Sequence, residues 1–165
     1  KNARICNKRY ETIRNKIFRS HPWNCLIKRI ELAKDATDPV IEFSYAYTLP
    51  SDCLRVLKIH NGFTDSIQSD LDYKIEGRKV LTNQGTVYLV YVALKTDPNE
   101  YDVALQDAIS AQLAADLAYA ITNNATLANN YQERADERLR EARFIDATEN
   151  SLGVIESNEF TDARL

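Results

Sequence analysis

The residues from Thr86 to Leu94 constrain this chain more than any others. They are apolar on both sides of a two-residue repeat, with Val87, Leu89 and Tyr91 on one side and Tyr88, Val90, Val92 and Leu94 on the other. A strand of this kind needs cover above and below, so it belongs at the centre of a layered structure. The rest of the chain must supply the covering layers.

The flanking sequence supplies strands first. Tyr73–Glu76 and Lys79–Thr82 bracket Gly77-Arg78, a tight hairpin signal, and Asn83-Gln84-Gly85 turns the chain into the central strand. Upstream, Ile41, Phe43, Tyr45 and Tyr47 alternate with Glu42, Ser44 and Ala46, which predicts a half-buried strand. Leu49-Pro50-Ser51-Asp52 is turn chemistry. A further strand is expected from Leu54 to Ile59, with a bulge where its apolar phase slips between Val56 and Leu57. Asn61 to Asp70 reads as a polar loop, and Trp23 to Leu32 fits either strand or helix.

Helical patterns occupy both ends. Ala3, Cys6, Tyr10, Ile13 and Ile17 form one stripe, which Ser20-His21-Pro22 should end. Asp97-Pro98-Asn99-Glu100 predicts the start of a second helix running to about Ile121. Its Ala104, Ala108, Ala111, Ala115 and Ala118 make a small-residue face beside a ridge of Leu105, Ile109, Leu113, Leu117 and Ile121. Such a helix should be the most buried one. Thr122-Asn123-Asn124 should break it and cap a third helix, with Ala128, Tyr131, Ala135, Leu139 and Ala142 inward. Asp136 and Arg140 are spaced for an i,i+4 ion pair on its outer face.

The fold expected is therefore α+β, a helical bundle from the N- and C-terminal helices with an inserted, mostly antiparallel β-sheet. Residues 1–149 are read as one domain, with helices at about 3–19, 98–121 and 125–149 and the β-rich insertion at about 40–94. Periodicity stops at Asn150. Residues 150–165 are read as a C-terminal arm whose Leu152, Val154, Ile155 and Phe160 are the candidate assembly contacts. The chain opens at Lys1 inside a helical stripe and contains no Met, so a missing N-terminal stretch is expected.

Chemistry-bearing patterns are scarce. Net charge is −3 and the basic residues form no stripe, which argues against specific nucleic-acid binding. No apolar run reaches a membrane-spanning length, and no signal peptide is evident. Cys6, Cys25 and Cys53 are scattered and read as free thiols. His21 and His60 belong to no metal or catalytic motif, and each is expected at the surface or in packing. Carboxylate pairs such as Asp70/Asp72 and Glu133/Glu137 read as solvated faces. Asn124-Ala125-Thr126 spells a glycosylation site, and Ile75-Glu76-Gly77-Arg78 a protease site; the first reads as a helix cap and the second as a native hairpin. Trp23 and the tyrosines could stack on sugars or bases, although core and interface packing is preferred. No catalytic, cofactor or metal site is assigned, and the chain is read as a non-enzyme.

The order of these features resembles the tail tubular protein A family, the head-to-tail adaptors of short-tailed, autographivirus-like phages. The resemblance runs through most of the chain. It is carried by Cys6 to Arg14 with His21-Pro22-Trp23, by Tyr47-Thr48-Leu49-Pro50-Ser51-Asp52-Cys53-Leu54-Arg55-Val56-Leu57, by Tyr73 to Arg78 with Leu81-Thr82, and by Asp97-Pro98 with Tyr101-Asp102 and Ala111 to Ala118. The Leu49-to-Val56 piece is the most specific. The chain departs from the pattern in lacking the family's first N-terminal stretch and in having Gln112 where a basic residue is common. The resemblance implies a virion protein that forms a ring, typically a dodecamer. Its partners would be further copies of itself, the portal, the nozzle (tail tubular protein B) and the tail fibres. Genomic DNA would pass through it without specific binding, and no membrane is involved. Two other readings are a tail-associated exopolysaccharide-degrading enzyme and a solitary monomeric binding module.

Overall fold

A computed structural model of the protein describes residues 2–62 and 71–149. Helix α1 spans Asn2–Ser20, and a single 3-10 turn at Asn24–Leu26 leads into β1, Ile27–Leu32. Strands β2 (Tyr45–Thr48), β3 (Cys53–His60), β4 (Tyr73–Glu76), β5 (Lys79–Thr82) and β6 (Val87–Ala93) follow. Helices α2 (Val103–Thr122) and α3 (Ala125–Thr148) complete the described chain. Among the described residues the strands form two antiparallel sheets, ordered β1-β6-β3 and β2-β5-β4. The α+β class is as the sequence predicts, with two small sheets in place of one.

Strand β6 is central in its sheet and apolar on both faces, as its sequence requires. Its Val92 joins a cluster with Ile17, Phe18, Trp23 and Leu105, under the helices. Its Val87, Leu89, Tyr91 and Ala93 join a second cluster with Leu32, Tyr47, Ile59 and Val80, between the sheets. The two-residue period separates these faces. One strand thus touches both hydrophobic clusters.

Several turns match their sequence signals. Gly77 (φ 52°) and Arg78 (φ 63°) both take positive φ between β4 and β5, the geometry of the tightest hairpin turns. Register shifts in β3 fall between Cys53 and Arg55 and between Val56 and Lys58, so the phase slip is a real bulge. Asn123 adopts the left-handed conformation that ends α2, and the Asn124 side chain accepts from Leu127 N to start α3.

Four expectations need correction. The segment from Trp23 to Leu32 becomes a 3-10 turn and a strand, so the β-region starts at Ile27 and not near residue 40. The strand expected from Ile41 begins only at Tyr45, because its partner β5 ends at Thr82, opposite Tyr45. Asn83 then takes over, its side chain accepting from Ser44 N and Oγ. Asp97 caps a single 3-10 turn at Pro98–Glu100, and the true cap of α2 is Asp102, whose carboxylate accepts from Ala104 N. Between the two caps the chain is extended at Tyr101, which is buried with its ring edge-on to Phe18. Finally, the Asp136 carboxylate accepts from Gln132, and Arg140 Nε donates to the Asp136 main-chain oxygen, so the expected ion pair is not formed.

Helix α2 buries Leu105, Ala108, Ile109, Ala115, Leu117 and Ala118, more residues than α1 or α3. It packs against both of them. Arg9 on α1 grips Asp116 on α2 through two hydrogen bonds of 2.7 Å, and that guanidinium holds the carboxyl below the usual range. Ala115 is buried in this helix layer. Ala115→Leu should overpack it and lower stability by about 1–3 kcal/mol in urea unfolding. A variant as stable as the parent would show that the helices have room to spare there.

Candidate functional site

The described residues hold no group of three or more His, Cys, Asp or Glu side chains placed to bind a metal ion. What they hold instead are polar ties between elements and exposed apolar groups.

The tightest tie lies where α3 ends against the turn after α1. Asp146 is 5% exposed. Its Oδ2 lies 2.9 Å from His21 Nε2, its Oδ1 accepts from Asn24 N at 2.8 Å, and its main-chain oxygen accepts from Asn24 Nδ2 at 2.7 Å. The His21 ring stands edge-on to Trp23, whose indole Nε1 donates to Ile17 O. Nearby, Arg143 donates to Ser20 Oγ. His21 therefore has a packing role, as expected, but its partner lies 125 residues away and no sequence spacing announces it. Asp146→Ala removes two acceptors from a buried site and should cost about 1–3 kcal/mol in chemical unfolding. An unchanged midpoint would mean that the tie is not a stabilising one.

A second tie spans the first sheet. Asp52 accepts from Lys28 Nζ at 2.7 Å and from the Tyr91 hydroxyl at 3.1 Å. Burial pushes the Asp52 carboxyl up, but the two hydrogen bonds outweigh it and hold the group below its ordinary range. Burial, with Asp52 alongside, pushes the Tyr91 hydroxyl up to about 12. Both groups are therefore fixed in one protonation state near neutrality.

The aromatic residues mostly pack. Trp23 is 1% exposed, which leaves no face for a sugar or base. Tyr47 and Tyr101 are buried with their hydroxyls donating to Gln84 O and Lys95 O. His60 ends β3 and pairs across to Tyr88. Glu133 and Glu137 lie exposed on α3, while Asp70 lies outside the described residues. Asn124 is engaged as a cap, and Ile75 to Arg78 form the end of β4 and the turn to β5. Cys53 is buried, and burial pushes its thiol up. Gln112 meets Gln132 of α3 at 3.4 Å, a neutral amide contact. The candidate assembly contacts Leu152, Val154, Ile155 and Phe160 lie outside the described residues.

Among the described residues, exposed large apolar groups lie at Val40 and Ile41 in the loop before β2 and, in greater number, on the α2–α3 pair. Val103 is 78% exposed and Phe144 72%, with Ile145 partly exposed; Val103 and Ile145 line one groove with Arg138 and Asp107. At the other end Tyr119, Ile121, Leu127 and Tyr131 are exposed around the α2–α3 turn. This corrects the inward placing of Tyr131 read from the pattern, and it leaves Ile121, the last residue of the α2 ridge, exposed. Helix α3 buries only Ala135, Ala142 and Asp146 along 24 residues. One face of a long helix is covered, and the other carries large apolar groups into solvent. Sequence periodicity points inward and gives no signal for such groups.

A cleft of about 290 Å³ lies at the β4–β5 turn and the end of α1, lined by Arg19, Arg55 and Arg78 over Leu49, Cys53 and Ile75. Among the described residues, no helix is long and apolar enough to cross a membrane. No protein-family model matches the chain, and no curated protein matches it.

Proposed function

We propose that the chain is a structural protein of the virion, a ring-forming head-to-tail adaptor that joins the portal to the tail nozzle in a short-tailed phage. The observation that carries this reading is the uncovered apolar surface of the α2–α3 pair, above all Val103 and Phe144. Large exposed apolar groups grouped on one pair of elements suit a contact that a second copy covers. A heterologous contact between identical copies generates a ring when its rotation closes. The resemblance to tail tubular protein A supplies the ring, typically of twelve, and the partners: portal above, nozzle below and tail fibres at the junction. Net charge −3 with interspersed signs suits a channel through which DNA slides without being held. The rival reading as a glycan-cleaving enzyme needs a free carboxylate pair in a cleft; the carboxylates of the α2–α3 groove are engaged, Asp102 as the cap of α2 and Asp107 and Glu141 by Arg138. Sedimentation velocity of the purified full chain tests the proposal. The parent should self-associate with concentration, and Phe144→Glu should shift it to monomer. A parent that stays monomeric with and without portal-bearing heads would contradict the reading.

A further inference from the structure

The cleft at the β4–β5 turn gathers three guanidinium groups from distant parts of the chain. Arg19 ends α1, Arg55 stands on β3, and Arg78 sits in the hairpin turn. Each is oriented by the main chain. Arg19 donates to Leu54 O, Arg55 to Arg19 O, and Arg78 to Pro50 O and Ser51 O. Among the described residues no carboxylate forms an ion pair with any of the three. The nearest acids in sequence are Glu76, paired with Lys74, and Asp52, engaged by Lys28 and Tyr91. Three positive groups without a carboxylate partner among the described residues, beside apolar Leu49, Cys53 and Ile75, suit a carboxylate-bearing segment with an apolar side chain.

The chain carries such a segment. Residues 150–165 contain Glu156, Glu159 and Asp162 against the single Arg164, interleaved with Leu152, Val154, Ile155 and Phe160. The last turns of α3 are tied to the end of α1, which carries Arg19, because Arg143 holds Ser20 and Asp146 holds Asn24. Sixteen residues can span up to about 50 Å when extended, so reach does not exclude a neighbouring copy.

We infer that the Arg19–Arg55–Arg78 cleft is the docking site for the acidic segment 150–165 of this chain. In the ring reading, on which the choice of a neighbouring copy rests, one copy's segment enters the next copy's cleft. An apolar residue fills the floor while Glu156, Glu159 or Asp162 meets the guanidinium groups. The contact is salt-sensitive, since the cleft is open to solvent.

A photo-reactive phenylalanine analogue placed at Phe160 of the full chain tests this. Illumination should yield cross-links that map by mass spectrometry to residues 49–56 or 75–78. Glu159→Arg, which leaves the described fold untouched, or Arg55→Gln with Arg78→Gln, should cut the yield about tenfold, the ratio expected for about 1.4 kcal/mol of lost contact. Cross-links elsewhere, or a yield unmoved by all these variants, overturn the assignment. The size of the product separates it from the ring reading. Cleft cross-links within one chain, with the protein sedimenting as a monomer, keep the cleft and defeat the ring.

Discussion

Replacing Trp23 by alanine should cost about 3–5 kcal/mol, the largest loss expected from a single change under the helices. The indole is 1% exposed and packs in the cluster of Ile17, Phe18, Leu26 and Leu105. Its Nε1 donates to Ile17 O at 3.0 Å, and its ring faces His21, so the substitution loses volume, a hydrogen bond and a wall of the Asp146 site together. A small protein has about 5–15 kcal/mol of stability in all, so this variant should be close to unfolding at 37 °C. Guanidinium unfolding of parent and variant at 25 °C measures it. A loss under 1 kcal/mol would mean that the cluster repacks around the hole.

Leu89→Ala should cost about 2–5 kcal/mol by the same cavity mechanism, in the other cluster. Leu89 is fully buried on β6, paired to Ile30 on one side and Ile59 on the other, and it faces the second sheet. The pair of variants tests more than two sites. Because β6 also sends Val92 to the helical cluster, both losses should appear in one cooperative transition. In Leu89→Ala, fluorescence of the single tryptophan and far-ultraviolet circular dichroism should report the same midpoint; in Trp23→Ala, which lacks that probe, tyrosine fluorescence takes its place. Two separated midpoints in Leu89→Ala would show that the sheets and helices melt independently.

Much of the fold was legible because local chemistry and tertiary need agreed. The 73–82 hairpin follows from a turn that needs positive φ, and Gly77 meets that need cheaply. The two-faced apolar repeat of 87–93 placed a strand at the centre of a sheet, and the Asn124 cap placed the start of α3. The misreadings arose where two local signals competed. Asp97 and Asp102 are both good caps, and only the burial of Tyr101 against Phe18 decides that the helix starts at the second. Residues 41–44 alternate like a strand but pair with no strand among the described residues. Instead Phe43 N bonds to Ile41 O, closing a tight turn in which Glu42 adopts φ 77°.

The candidate sites were less legible for a physical reason. Asp146 and His21 lie far apart in sequence, and their role exists only once α3 packs against the turn after α1. The Arg19, Arg55 and Arg78 side chains come from a helix, a strand and a turn, so no spacing links them. Exposed Phe144 and Val103 break the inward pattern, and a sequence rule that sends apolar residues to the core reads past them. Assembly surfaces are of this kind, because they violate the rules that fold the subunit.

The central claim is that this chain assembles with itself through a surface left uncovered in the single subunit. Mass photometry of the purified full chain, followed by negative-stain imaging of the heaviest species, tests it most directly. The account predicts closed rings of one fixed size, lost in Phe144→Glu while that variant's circular dichroism stays that of the parent. A parent that remains monomeric at every concentration, or one that forms open aggregates of no fixed size, would contradict it.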